Sequence, residues 1–166
     1  KHRKSLLSII GLLVILSVLL STFLSGCGGG APKADWDLKV TGAVANPLTL
    51  SYAELVEMPH VDLTDVLMQK SLGEDEVTSW AGVPLEEIFS KAEISPDYVS
   101  VTALAADGYA IEISGDELQG GIVATKRGDE WIVNVPEEEG KGPIRLVCPE
   151  TPANRWVFQL QELQVN

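Results

Sequence analysis

The stretch Trp80–Phe89, WAGVPLEEIF, decides how the middle of the chain folds, because it turns a strand directly into a helix. Pro84 suits the first turn of a helix, where its missing N–H is not needed and its fixed φ is already helical. The apolar residues that follow recur at the spacing of one helical face, and they are Leu85, Ile88 and Phe89. The pattern predicts a strand that reaches Trp80 and a helix that runs to about Ala92.

Runs of alternating apolar and polar residues extend on both sides of this junction, and each predicts a strand. The predicted strands are Leu38–Val44, Val61–Gln69, the run that ends at Trp80, Tyr98–Leu104, Tyr109–Ser114, Ile122–Lys126, Glu130–Val133, the strand around Ile144, and Trp156–Leu160. Asp107-Gly108 between two such runs is typical of a tight hairpin turn. Leu163 and Val165 break the parity of the last strand, so we expect a bulge or bend near Gln161.

Helical signals are fewer and shorter. Ser51 and Glu54 have the spacing of a capping box, which predicts a helix that ends before Pro59. Asp116–Leu118 is a further short candidate, and Glu137–Glu139 has the composition of a solvated loop. The sequence therefore predicts an α+β domain that is mainly β, with two or three short helices.

The first 27 residues have the pattern of an export signal. Lys1, Arg3 and Lys4 precede an uncharged apolar run, Leu6–Leu24, and small residues then lead to Cys27. This order resembles a bacterial lipoprotein signal, in which the cysteine is lipidated after cleavage. We predict a signal peptide at 1–26, a lipidated Cys27 with a linker at 27–35, and a folded domain at 36–166. An uncleaved membrane helix is the alternative, and basic residues before the apolar run place the domain outside the cytoplasm in either case.

The charge of the chain limits its partners. The formal net charge is −12, and removal of the three cations of the signal leaves −15. Such a surface repels nucleic acid and anionic headgroups, so we expect no nucleic-acid partner and a membrane contact that runs only through the lipid on Cys27. The expected location is the cell envelope, with an unknown small molecule or envelope protein as the further partner.

If Cys27 is lipidated, Cys148 has no partner for a disulfide, and its strand-like surroundings predict a buried thiol.

Six short motifs follow one another along the chain. They are Leu38–Gly42, Asn46–Leu50, Trp80–Leu85, Asp107–Tyr109, Gly142–Val147 and Arg155–Val157. Together, over about 36–165, they resemble the molybdopterin-binding domain of the sulfite oxidase family. The resemblance implies that family's fold for the whole predicted domain.

Active members of that family bind a molybdenum–pterin cofactor and use a protein cysteine thiolate, a soft donor, as a metal ligand. The resemblance places this cysteine between the strand after Pro59 and Trp80, where the chain has none. Met68 there is a neutral thioether, and Ser71 or Asp65 offers only oxygen. The resemblance also implies that arginine, histidine and a glycine-containing loop bind the pterin. We therefore expect no metal ligand, no catalytic residue and no bound cofactor, with molybdopterin as the alternative.

The resemblance also identifies segments that border the cofactor cleft in the related enzymes. Their candidate residues for a residual cleft are Trp80, Asp107, Tyr109, Arg155 and Trp156. In that cleft Arg155 is the expected cation and the aromatic residues are the expected walls. Core packing is the other interpretation of the two tryptophans.

The leading functional prediction is a membrane-tethered, extracytoplasmic lipoprotein whose molybdopterin-binding-type domain is not an enzyme and binds a ligand or a protein. One alternative is a molybdenum–pterin-dependent oxidoreductase of the sulfite oxidase type with a metal ligand other than cysteine. A second alternative is an assembly or docking subunit of a membrane redox complex.

Overall fold

Strands dominate residues 30–166, the part of the chain that the computed structural model describes. The strands are β1 (Asp37–Gly42), β2 (Leu48–Ser51), β3 (Val61–Met68), β4 (Glu76–Pro84), β5 (Ser100–Ala105), β6 (Ala110–Ser114), β7 (Ile122–Arg127), β8 (Glu130–Trp131), β9 (Arg145–Val147) and β10 (Leu160–Val165). The helices are α1 (Tyr52–Glu57) and α2 (Leu85–Ala92), with 3-10 turns at Ile132–Asn134, Pro136–Glu138 and Ala153–Arg155. The predicted α+β class, mainly β with short helices, is confirmed.

The strands form two sheets. One has the order β2-β1-β10-β5-β6, and the other has the order β3-β4-β7-β8, with β9 also paired to β7. All neighbours are antiparallel except β1 and β10, which run parallel. Since β1 and β10 come from opposite ends of the described chain, this pair joins the first and last strands in the interior of the first sheet.

Both sheets contribute to one hydrophobic core. Leu38 and Leu163 from the first sheet and Val123 and Leu146 from the second are all inaccessible to solvent and belong to the same apolar cluster. Ile88 on α2 is buried in it as well. The core therefore joins the sheets to the predicted helix face.

The junction between β4 and α2 depends on a glycine. A Cβ on Gly82 would lie 2.1 Å from the Val123 carbonyl oxygen, so only glycine lets β4 approach β7 this closely. The register between these strands shifts between Ala81 and Gly82, which is a bulge at the same point. The strand continues past Trp80 to Pro84, which is the N-cap of α2 with an extended ψ of 137° rather than, as predicted, a residue of its first turn.

The start of α1 has the predicted capping box. The Ser51 hydroxyl accepts from the Glu54 backbone N–H at 3.3 Å, and the Glu54 carboxylate accepts from the Ser51 N–H at 2.9 Å. The Ser51 hydroxyl also donates to the Glu54 carboxylate at 2.7 Å, and this bond together with that from the Ser51 N–H lowers the pKa of Glu54. The helix ends at Glu57, before Pro59.

Three predicted elements differ in the structure. Trp156–Leu160 is not the last strand: a 3-10 turn leads into Trp156, Gln159 has a positive φ of 52°, and the strand begins only at Leu160. The bulge expected near Gln161 is present as a register shift between Leu160 and Glu162.

The other two differences are local. The segment predicted as Glu130–Val133 keeps a strand for two residues, because the chain turns into a 3-10 turn at Ile132. Asp116–Leu118 lies in a run of turns rather than in a helix, and the positive φ of Gly120 ends that run.

The predicted signal peptide and Cys27 lie outside the described residues. Within 30–166, no helix combines the length and the apolar character that a membrane crossing requires.

Candidate functional site

A small cavity lies between the β5–β6 hairpin and the segment that follows the last 3-10 turn. Three of the predicted cleft residues, Asp107, Tyr109 and Trp156, line this cavity, which has a volume of about 170 Å³. The remaining lining residues are Ala105, Ala153, Asn154, Val157 and Phe158. We call this cavity, defined by these eight residues, the hairpin pocket.

Tyr109 closes one side of the hairpin pocket. Its hydroxyl donates to the Asn154 carbonyl oxygen at 3.1 Å, which connects the hairpin to the 3-10 turn. The Asp107 carboxylate accepts from the Tyr109 backbone N–H at 2.9 Å and thereby orders the turn. Tyr109 is 45% exposed and Phe158 is 38% exposed, so both rings stand at the mouth of the pocket.

The two predicted tryptophans lie behind this mouth. Trp156 is buried, and its indole N–H donates to the Cys148 carbonyl oxygen at 2.8 Å. Trp80 contacts Trp156 edge to face but does not line the pocket, and its indole N–H donates to the Thr78 hydroxyl at 2.8 Å. Trp80 is therefore a core residue that supports the pocket floor.

Arg155, the expected cation of the cleft, does not line the hairpin pocket. Its Nε lies 3.0 Å from the Glu117 carboxylate and forms an ion pair there. Hydrogen bonds from the Ser114 backbone N–H and from Arg155 lower the pKa of Glu117. The charge that does line the pocket is the carboxylate of Asp107, opposite in sign to the expected one.

A buried ionic cluster next to Trp80 was missed by the sequence analysis. Glu138 has a side chain only 2% exposed, with one carboxylate oxygen 2.7 Å from Nη1 of Arg127 and the other 3.5 Å from Nη1 of Arg145. Arg127 also pairs with Glu76. The expectation that Glu138 belongs to a solvated loop is wrong, because these two arginines hold it inside the fold.

Arg145 is the least satisfied member of this cluster. Its side chain is 9% exposed, its Nε has no hydrogen-bond partner among the described residues, and burial lowers the pKa of its guanidinium while Glu138 opposes that effect. The guanidinium lies 5.1 Å from the centre of the Trp80 ring and 5.8 Å from that of Phe158. Aromatic faces thus supply part of its stabilisation.

Met68, at the end of β3, also packs against this arginine. Its sulfur lies 3.9 Å from Nη2 of Arg145, and the side chain is buried. The other residues considered as substitute metal ligands, Asp65 and Ser71, are exposed. Among residues 30–166 no group of three or more His, Cys, Asp or Glu side chains has the arrangement of a metal site.

The single cysteine of the described part, Cys148, is fully buried, and burial raises the pKa of its thiol to about 12. A thiol with that pKa stays protonated at neutral pH, whereas a metal ligand must be a thiolate. Of the described residues, neither Cys148 nor the thioether of Met68 is a donor that fits molybdenum held by a protein thiolate.

A larger cavity, about 610 Å³, lies elsewhere in the described part of the chain and was not predicted. It is lined by residues 34–36, 133–136, 138–140, 142–143 and Gln159. Gly140 and Gly142, both with a positive φ, form part of the wall of this cavity. The Gly140-Lys141-Gly142 run is the sequence feature that could have indicated an unusual loop there.

Comparison with solved structures shows the same fold. The crystal structure of the sulfane dehydrogenase SoxCD from Paracoccus pantotrophus superposes with a TM-score of 0.69 at 19% identity, covering 82% of this chain and 40% of that chain. This chain therefore spans less than half of the length of that chain. No curated protein sequence matches.

The family comparison corrects one prediction. The sequence profile described as oxidoreductase molybdopterin binding domain matches residues 29–166. The expectation that no cofactor is bound is wrong, because the matched family is one of molybdopterin-binding domains. By this match, which covers most of the sequence, the chain belongs to the oxidoreductase molybdopterin binding domain family.

Proposed function

We propose that this chain is a membrane-tethered, extracytoplasmic member of the molybdopterin-binding domain family that binds a ligand or a protein and does not catalyse oxygen-atom transfer. Molybdopterin is the first ligand to test, because the family is defined by it. The hairpin pocket is the site we assign to a further small ligand.

The side chains that could serve as metal ligands are the main support for the non-catalytic part of the proposal. Molybdenum is held best by soft anionic sulfur, and the sulfur at the end of β3 is the neutral thioether of Met68, against which the guanidinium of Arg145 lies. A cation beside the thioether adds electrostatic repulsion toward a metal ion. The buried thiol of Cys148, with its pKa of about 12, does not replace the missing thiolate.

The tether is supported by the sequence alone. The basic residues at 1–4, the apolar run and Cys27 have the order of a lipoprotein signal, and two or more acyl chains hold a protein stably on a membrane. The basic residues before the apolar run favour an extracytoplasmic position for the domain.

The test of the catalytic part uses the full chain, expressed in a bacterium that makes molybdopterin and extracted from its membranes with detergent. Molybdenum per chain, pterin fluorescence after oxidation, and turnover of sulfite with an electron-accepting dye are measured on the same sample. We expect no turnover, whether pterin is found or not. Turnover in proportion to bound molybdenum would overturn the non-catalytic proposal.

The test of the tether is cell fractionation. Cys27→Ser removes the atom that carries the lipid, so we expect the variant to leave the detergent-extracted membrane fraction or to accumulate uncleaved. Cys148→Ser also removes one thiol and is the matched control, because it should fractionate like the unmodified chain. Equal fractionation and equal electrophoretic mobility of all three chains would contradict lipidation.

A further inference from the structure

The walls of the hairpin pocket select the shape of its ligand. Tyr109, Trp156 and Phe158 supply aromatic surface, and Val157 with two alanines supplies aliphatic surface. A volume of about 170 Å³ accommodates one small ring and excludes larger fused systems with long substituents. Aromatic walls of this kind favour a flat apolar group.

The charged residue of the pocket determines which sign of charge the ligand should carry. None of the described residues that line it is Lys, Arg or His, and Asp107 contributes a carboxylate. Asp107 uses one oxygen for the Tyr109 N–H and forms no ion pair within the described part of the chain. The exposed ring of Tyr109 also attracts cations through its quadrupole.

Two cations beside the residues of the hairpin pocket already have carboxylate partners. Arg155, which follows the pocket residue Asn154, is paired with Glu117 at 3.0 Å. Arg145 lies on the Phe158 ring, 5.8 Å from its centre, and is paired with Glu138 at 3.5 Å. Arg155 is thus paired with its own carboxylate and Arg145 shares Glu138 with Arg127, whereas Asp107 lines the pocket without a cationic partner among the described residues.

We propose that the hairpin pocket binds a small cation that carries a single apolar ring, with the ring between Tyr109, Phe158 and Trp156 and the cationic group beside Asp107. The proposal rests on the proposed binding function and specifies its ligand class. This ligand is opposite in charge to one that Arg155, the predicted cation of the cleft, would bind.

Three ligands that share one ring and differ in charge test the proposal: phenethylamine is a cation, 2-phenylethanol is neutral and phenylacetate is an anion. Binding to the full chain in detergent is followed by ¹⁵N spectra, with the Gly108 amide and the Trp156 indole as reporters. We expect phenethylamine to bind about fivefold more tightly than 2-phenylethanol, and phenylacetate to bind most weakly.

Asp107→Asn removes the charge of the pocket and keeps its shape, because Asn-Gly is as favourable as Asp-Gly in a tight hairpin turn. The variant should lose about threefold in affinity for phenethylamine and none for 2-phenylethanol. Asp129→Asn removes the same charge from an exposed turn outside the pocket, and it should change neither affinity. Tyr109→Ala removes a wall and should weaken both ligands.

Phenylacetate binding as tightly as phenethylamine, or no shift of Gly108 and Trp156 with any of the three, would overturn the ligand class. These outcomes are independent of catalysis. Turnover with bound molybdenum would overturn the proposed function and leave the preference for a ring-bearing cation standing.

Discussion

Trp80 and Trp156 contact each other edge to face, with ring centroids 6.3 Å apart and planes at 89°. Trp156 forms part of the hairpin pocket, and Trp80 stands between it and the arginines of the buried ionic cluster. This aromatic pair therefore connects the hairpin pocket to the buried ionic cluster through the core.

Trp80→Ala should destabilise the fold by about 3–5 kcal/mol, because it empties a fully buried site and removes the ring on which two guanidinium groups lie. Urea denaturation followed by circular dichroism gives the free energy of unfolding. Trp131→Ala is the control, since that ring is only partly buried and contacts Lys126 at 4.5 Å. Its cost should be about 1 kcal/mol or less, and equal costs would contradict the central role of Trp80.

Glu138→Gln should destabilise the fold by about 3–5 kcal/mol, because Arg127 and Arg145 then remain inside without the carboxylate that compensates them. Glu137→Gln makes the same chemical change one residue earlier on an exposed side chain, and its effect should stay within about 0.5 kcal/mol. The difference in urea midpoint between the two variants measures the effect. Similar midpoints would show that the buried carboxylate contributes little.

Local patterns explain which parts of the fold could be predicted. The capping box at Ser51, the strand-to-helix junction at Pro84 and the turn at Asp107-Gly108 each depend on neighbouring residues, so the sequence shows them directly. Gly82 could be predicted from the sequence only in part. Its place in the motif was visible, but the approach of Val123 that requires glycine is a tertiary contact.

The candidate site was less predictable because it depends on pairing across the fold. Glu137–Glu139 has the composition of a solvated loop, and only Arg127 and Arg145, brought in by β7 and β9, show why Glu138 is buried. Arg155 followed the family pattern in sequence, yet Glu117 from a different segment holds it away from the pocket. That Asp107, Tyr109 and Trp156 bind a ligand stays a prediction.

The Glu117 carboxylate, which accepts from the Ser114 backbone N–H and from Arg155, should make stability depend on pH in the acid range. The pKa of Glu117 is lower in the folded chain than its ordinary value of 4.5, so its hydrogen bonds stabilise the fold fully above that pH. This contribution is lost as the pH falls from 4.5 through the folded pKa. The difference in Tm between the unmodified chain and Glu117→Gln should therefore be largest near neutral pH and shrink in acid.

Glu139→Gln is the control for this measurement, because its exposed side chain forms no ion pair with any residue in the described range. Its Tm difference from the unmodified chain should not show the same convergence below pH 4.5. A Tm difference for Glu117→Gln that is constant from pH 7 to pH 3 would show that the ionised Glu117 carboxylate does not contribute to stability.

Thiol counting tests the state of both cysteines at once. Cys148 is fully buried with a pKa raised to about 12, so in the folded chain it should not react with a disulfide reagent at pH 8. A lipidated Cys27 carries a thioether and does not react either. Chain extracted from bacterial membranes should therefore show no reactive thiol when folded and one per chain in guanidinium.

The two cysteines are separated by substitution. Cys148→Ser should leave no reactive thiol even after unfolding, because Cys27 is the one remaining cysteine and its sulfur is alkylated. Two thiols per unfolded chain would contradict lipidation but not the burial of Cys148, since burial concerns only the folded count. A thiol that reacts within seconds in the folded Cys27→Ser chain would contradict the buried position of Cys148, because closed cores expose such groups only on opening.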